Sequence, residues 1–222
     1  MLPNYYKNVF SVLLMPVLTA LFLSGCSVTG AWQVSSSEPD SEALMNVPNS
    51  VQRDYEKATQ AFQAGDYVAA EAGFQRFVEQ HPQFSNAYVN LAILMDKRGD
   101  REAAIHLLQH AIEVDSHNTI ALNRLGVLLR QQGEFSGAEQ AWLEATRIDP
   151  DYANAWYNLG VLYDLYLRDL TAALDHYQRY QDLVSAPEFA GEVEDSRVQN
   201  WIADLQRRIG DAPQTANATE TL

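Results

Sequence analysis

Gly65, Gly99 and Gly133 stand 34 residues apart, and Ala70, Ala104 and Ala138 keep the same interval. Pro82, Ser116 and Pro150 keep it too, as do Phe74, Leu108 and Trp142, with Tyr177 following after a slip of one residue. Turn residues, small residues and large apolar residues therefore recur together. A period of this length marks a stacked array of helical hairpins, in which each unit buries its apolar face against its neighbours. The chain is thereby restricted to an all-α architecture whose length is set by the number of units.

Four hairpins are expected over 51–183, in units 51–84, 85–118, 119–152 and 153–183, with first helices near 51–64, 85–98, 119–132 and 153–166. In the second unit Tyr88, Leu91, Ala92 and Met95 mark one face of the first helix, and Ala104, Leu108 and Ala111 mark the second. These are the spacings of packed helices. Ala92 and Ala104 let the pair approach closely, and Gly99 suits the tight turn between them.

Trp156, Leu159, Gly160 and Tyr163 of the fourth unit, with Leu125, Gly126, Gly133, Ala138, Trp142, Ala145 and Pro150 of the third, resemble the tetratricopeptide repeat. The resemblance implies a right-handed α-α superhelix of about four hairpins. It makes Trp142, Trp156, Tyr163 and Tyr177 packing residues. The array departs from the pattern at its ends. The small position between units holds Phe77 and Tyr180 instead of an alanine, and the fourth unit lacks its turn glycine and carries one extra residue between Asp164 and Leu170. A bulky Tyr180 keeps a following helix from the usual close distance, so the regular array is expected to stop there.

Beyond a loop with Pro187 and Gly191, Val198, Trp201, Ile202, Leu205 and Ile209 form one more apolar stripe within 184–210. Ser196 and Gln199 read as a capping box, and Arg207, Arg208 and Gly210 as C-terminal signals. This helix is expected to cap the last repeat. Docking on another protein or a second copy is the alternative. Residues 211–222 read as a disordered tail.

The N-terminus carries a different signal. Lys7 precedes an apolar run, broken by Pro16, that ends in Leu23-Ser24-Gly25-Cys26. The run is short for a membrane span, which needs about 20 apolar residues, and 1–25 reads as a signal peptide. Leu-Ser-Gly-Cys resembles the bacterial lipobox. That resemblance implies lipidation of Cys26, cleavage before it and, with Ser27 next, transfer to the periplasmic face of the outer membrane. Cys26 is the only cysteine, so the exported chain has no internal disulfide. Residues 26–50 read as the lipidated cysteine and a flexible tether that holds the folded part about 25 to 30 Å from the bilayer.

Cleavage would leave 14 basic residues against 29 acidic ones. Such a chain is repelled by nucleic acid and by lipid phosphates, which are bound through clustered Lys and Arg. Membrane contact is expected through the lipid alone, and no nucleic-acid partner is expected.

Catalytic motifs are missing from the sequence: there is no phosphate-binding glycine loop, no HExxH, no CxxC and no nucleophile elbow. His106 and His110, four apart on one helix, make at most two metal ligands and are expected on a solvated face. No metal or cofactor is expected, and the chain is read as non-enzymatic. The resemblance instead implies a protein or peptide partner bound on the concave face lined by first helices. The matching positions are Tyr55 and Thr59; Asn90, Ile93 and Lys97; Asn123, Arg124 and Val127; and Tyr157, Asn158 and Val161. A related subfamily clamps a C-terminal carboxylate, but only Asn90 and Arg124 agree among its five positions here, so that mode is not expected. Similar tethered proteins serve β-barrel assembly, pilus biogenesis, secretion, peptidoglycan hydrolase control and TonB-type transport. The expectation is a monomeric scaffold in an envelope machine. An oligomeric structural or enzyme-regulating subunit that makes contact through the C-terminal helix is the alternative.

Overall fold

A computed structural model describes residues 47–185 and 196–211. The expected signal peptide, Cys26, most of the expected tether, the expected loop with Pro187 and Gly191 and the expected tail from 212 lie outside the described residues. Within them the chain forms α1 (Asn49–Gln63), α2 (Tyr67–Gln80), α3 (Ser85–Arg98), α4 (Arg101–Val114), α5 (Thr119–Gln132) and α6 (Phe135–Ile148). Then follow α7 (Ala153–Leu162), a π-helical turn (Tyr163–Leu167), α8 (Leu170–Val184) and α9 (Ser196–Gly210). The helices pair as α1/α2, α3/α4, α5/α6 and α7/α8, and each hairpin stacks on the next as an α-α superhelix. Helix α1 starts just after Pro48, so Asn49 and Ser50 belong to the array and not to the tether.

Within each hairpin a small residue of the first helix lies beneath a large one of the second. A Cβ added to Gly126 would lie 2.6 Å from the Trp142 indole, and one on Gly160 would lie 2.4 Å from the Tyr177 ring. Both aromatic side chains are fully buried, as are Phe74 and Leu108 at the matching places. The small partner scales with the large one: Ala58 and Ala92 occupy the register of Phe74 and Leu108, whereas the two largest rings have glycine. Ala104, closely packed as expected, is wholly buried.

The first three hairpins turn at Gly65, Gly99 and Gly133, whose φ values of 78°, 89° and 84° lie in the left-handed region. The residue after each turn donates its N–H to the carbonyl five residues back: Asp66 to Ala61, Asp100 to Met95 and Glu134 to Leu129. The fourth hairpin makes the same closure one residue wider, from Asp169 to Tyr163. The extra residue is absorbed by the π-helical turn, and Arg168 adopts the left-handed conformation, at φ 59°, where the other repeats have glycine. Asp66, Asp100 and Asp169 then cap the second helices, accepting from the N–H of Ala69, Ala103 and Ala172.

Between units, Asn118 is buried and uses its whole amide. Its oxygen accepts from Ala121 N at 2.9 Å, capping α5, while its Nδ2 donates to Ser85 Oγ and Asn86 Oδ1, both at 2.7 Å. The Ser85 hydroxyl donates in turn to the Ala111 carbonyl at 2.9 Å. At the junction of the third and fourth units, Tyr163 donates to Glu139, and burial together with that carboxylate pushes its phenol up to about 12. His176 stacks on Tyr163 at 5.1 Å and lies 5.6 Å from the Trp156 ring, and burial lowers its pKa.

The array ends differently on its two sides. In α1, Arg53, Lys57 and Gln60 are exposed where later first helices bury Ala121, Leu125 and Leu128 against the preceding unit. At the other end α9 packs on the fourth hairpin, burying Val198, Ile202 and Leu205 with Val161, Ala173, Tyr177 and Tyr180. Tyr180 is part of this contact. Gly210 is not a left-handed stop, since it lies inside α9 and the Asp211 N–H still reaches the Arg207 carbonyl at 2.8 Å.

Two substitutions should shift stability in opposite directions, as read by thermal or urea melts. Gly126→Ala is expected to destabilise by about 1–3 kcal/mol, because overpacking against Trp142 outweighs the helix propensity gained. Arg168→Gly should stabilise by about 0.5–1 kcal/mol by releasing left-handed strain, less the entropy of the new glycine. The depressed His176 sets a pH dependence: above about pH 6.5 both states carry it neutral, and below that the unfolded chain takes up more protons. Stability should fall as the pH drops from 7 towards 5, and His176→Gln should flatten that fall.

Candidate protein-binding face

First helices α3, α5 and α7 stand side by side, and side-chain hydrogen bonds link successive first helices. Asn90 Nδ2 on α3 donates to the Tyr55 hydroxyl of α1 at 3.0 Å. Asn158 Nδ2 on α7 donates to Asn123 Oδ1 of α5 at 2.8 Å. Both pairs join the fifth residue of one first helix, counted from the repeat boundary, to the sixth of the next.

This geometry divides the sequence candidates into two groups. Tyr55, Asn123, Val127 and Val161 are buried. Tyr55 also packs edge-on against Phe74 and Phe77, and the Asn123 carbonyl accepts from Trp142 Nε1 at 3.1 Å. These four lie under the following helix and offer a partner little surface. Ile93 is half-buried against the core of the first units. Asn90, Arg124, Tyr157 and Asn158 remain half-exposed, joined by exposed Lys97 and Asn154 on the same stripes. The sequence pattern placed all of these on one face. It did not separate those spent on the next repeat, because that depends on which residue of the neighbouring helix fills the space.

Arg124 is the cation near the centre of this face. Burial lowers its pKa, and the nearby Tyr152 hydroxyl and Asp96 offset the effect, so the guanidinium stays charged and balanced by an acid of the preceding unit. Tyr152 is pushed up by burial and held back by Asn154, Arg124 and Asn123. These two side chains were not read together from sequence: Tyr152 stands just before its helix, outside the periodic stripe. The face thus presents amides, one balanced guanidinium, a phenol and aliphatic edges. Such groups pair with the backbone and polar side chains of a bound segment.

On the second helices, exposed His110 engages Glu113 at 3.1 Å and lies edge-on to Tyr88 at 4.6 Å. His106 is exposed as well, and no group of three or more His, Cys, Asp or Glu side chains suited to a metal occurs among the described residues. No described helix is long and apolar enough to cross a membrane.

A tetratricopeptide-repeat model matches residues 61–115, and a second TPR-repeat model matches 126–164. Over 61–115 and 126–164 the hairpins match the tetratricopeptide repeat. Among solved structures, Pseudomonas aeruginosa pilF superposes with a TM-score of 0.60 at 21% identity, covering 72% of this chain and 69% of that one. MamA gives 0.58 at 19%, covering 72% and 82%. YrrB, described as a TPR protein with an unusual peptide-binding site, gives 0.52 at 23%, covering 63% and 72%. At these identities the likeness is one of fold. In sequence, the probable biofilm formation methyltransferase WspC of Pseudomonas putida is 31% identical over 84 residues, 38% of this chain and 20% of that protein. Cellulose synthase operon protein C of Pseudomonas fluorescens is 27% identical over 122 residues, 50% of this chain and 9% of that one. The chain spans a fifth or less of these curated relatives. Tetratricopeptide repeats mediate contacts between proteins, and the fold is generally a non-catalytic scaffold.

The asparagines of the face should divide in a stability assay. Asn158→Ala leaves the buried Asn123 Oδ1 without the Asn158 donor and is expected to cost about 1–2 kcal/mol. Asn154→Ala removes only a bond from an exposed side chain to Tyr152 and should cost less, about 0.5 kcal/mol. Equal costs would refute the division.

Proposed function

We propose that this protein is a non-enzymatic scaffold, lipid-anchored through Cys26 at the periplasmic face of the bacterial outer membrane, whose first-helix face holds a protein or peptide partner of an envelope machine. The observation that carries the binding role is the stripe of exposed Lys97 and Asn154 with half-exposed Arg124, Tyr157 and Asn158, running over three successive first helices. The lipobox at 23–26 carries the location. The chain's acidity, net −14 at neutral pH, supports attachment through lipid and not through a charged surface. The described peptide site of YrrB is a fold-level parallel for the partner class. Assembly through the apolar side of α9 is disfavoured, because Val198, Ile202 and Leu205 are already covered by the chain's own fourth hairpin.

The test is photocrosslinking in cells from single benzophenone residues, with and without the anchor. Position 97 or 154 should yield one discrete adduct, and position 106 on the second helices should yield none. Cys26→Ala should abolish acyl labelling, leave an uncleaved precursor and remove the adduct. An adduct from position 106 alone would overturn the binding role. Normal processing of Cys26→Ala would overturn the location.

A further inference from the structure

Among the described residues six large apolar side chains are exposed, and five of them lie at hairpin tips, where a first helix turns into its second. Tyr67 and Val68 stand at the first tip, and Leu165, Tyr166 and Leu167 at the fourth. The sixth, Leu143, lies on α6. Because each hairpin stacks on the next with first helices side by side, the four tips share one edge of the array. Neighbouring tips touch. Lys97 Nζ lies 5.2 Å from the centre of the Tyr67 ring, and the Tyr166 ring lies 4.9 Å from Phe135 and 5.7 Å from the Arg130 guanidinium.

Packing does not account for these residues. The places that hold Leu165 and Tyr166 hold Gln63 and Ala64, Lys97 and Arg98, and Gln131 and Gln132 in the other units, and all of them are exposed. A surface place that is polar or small in three units is thus leucine and tyrosine in the fourth, on a tip one residue longer than the rest. The base of that tip is firm, since the Asp169 N–H closes on the Tyr163 carbonyl at 3.0 Å and the Asp169 carboxylate caps α8. Exposed apolar side chains gathered in one region mark contact with a protein or a membrane.

Three features of the edge favour a membrane. The apolar residues sit on the ends of two separate hairpins with polar tips between them, an arrangement that meets a flat surface at two points and offers a peptide no groove. The edge is also close to charge balance: 63–69, 97–103, 131–137 and 165–171 together hold four Lys or Arg and five Asp or Glu, on a chain whose net charge is −14. Asp96 and Asp164 beside these segments pair with Arg101 and Arg208. The edge therefore escapes most of the repulsion that the whole chain meets at lipid phosphates. Lastly, Tyr67 and Tyr166 each carry a cation against the ring. Tyrosine rings suit the headgroup level of a bilayer, where Lys and Arg heads stay hydrated while their stems lie on apolar surface.

Resting on the lipid anchor at Cys26, we propose that the hairpin-tip edge is a second membrane contact, with the first and fourth tips seated in the headgroup region of the bilayer that holds the anchor. Five apolar side chains bind lipid weakly by themselves, but an anchor on the same chain raises their local concentration at the bilayer, so a weak contact suffices. The chain from Cys26 to Pro48 reaches at most about 75 Å when extended, which leaves the folded part free to settle on this edge. The helices then stand upright on the membrane, and the first-helix face stays clear of lipid and open to a partner.

The test places a benzophenone residue singly at position 68, 165, 106 or 143 of the full chain in cells and reads by mass spectrometry whether each adduct is phospholipid or protein, with acyl labelling of Cys26 measured alongside. Positions 68 and 165 should give phospholipid adducts, and positions 106 and 143, on second helices, should give none. Leu165→Ser with Leu167→Ser, at exposed sites, should lower the phospholipid adduct from position 68 severalfold while the melting temperature of the purified chain stays unchanged. Protein adducts from 68 and 165 in place of phospholipid, or phospholipid adducts equally strong from 106 and 143, overturn the membrane contact. An acyl-labelled chain without phospholipid adducts overturns the contact and leaves the anchor standing. Phospholipid adducts from 68 and 165 without acyl labelling overturn the anchor and uphold the contact, and the absence of both signals overturns both.

Discussion

The contact on which the structure depends is the crossing of the two helices within each hairpin, where a small residue leaves room for a large one. Trp142 against Gly126 and Tyr177 against Gly160 leave no space for even one added carbon. Interiors packed at this density respond to a single methyl group. The crossing fixes how far apart the helices of a hairpin stand. That separation shapes the groove into which the next first helix settles, and so determines which side chains the array leaves open.

The face formed by first helices consequently serves two purposes. Tyr55 with Asn90, and Asn123 with Asn158, are spent on holding successive repeats together, and the residues between them are what a partner can reach. Polar links at these places require matched geometry, since a buried amide without its partner costs more than the bond contributes. They help set the register of the units, as Asn118 does at the hairpin junction. At the irregular fourth unit, the π-helical turn and the left-handed Arg168 absorb one extra residue locally. The seat offered to α9 is thereby kept.

Much of the fold was legible because its determinants are local and repeated: a glycine at each turn, a small residue paired with a large one and apolar residues at helical spacing. The first-helix boundaries of the second and third units, 85–98 and 119–132, follow from that pattern alone. The fourth turn was legible only as a departure, since a missing glycine and an extra residue do not say which backbone conformation absorbs them. The face was harder to read. Periodicity assigns a residue to a side of its helix, but the burial of Val127 and Val161 depends on the helix that follows, and for Val161 that helix comes after a stretch of sequence that breaks the period. Arg124 and Tyr152 illustrate the same limit, because their mutual influence arises from the meeting of two units and not from spacing within one.

The central claim is that one continuous array runs from α1 to α9, with α9 seated on the fourth hairpin. Hydrogen exchange of the full chain, resolved by peptide mass spectrometry, tests this most directly, because amides of one cooperative unit open together. The account predicts that the amides of 198–209 are protected to the same degree as those of α7 and α8 and lose protection with them as denaturant is raised. Exchange of 198–209 at unprotected rates, while α7 and α8 stay protected, would contradict it.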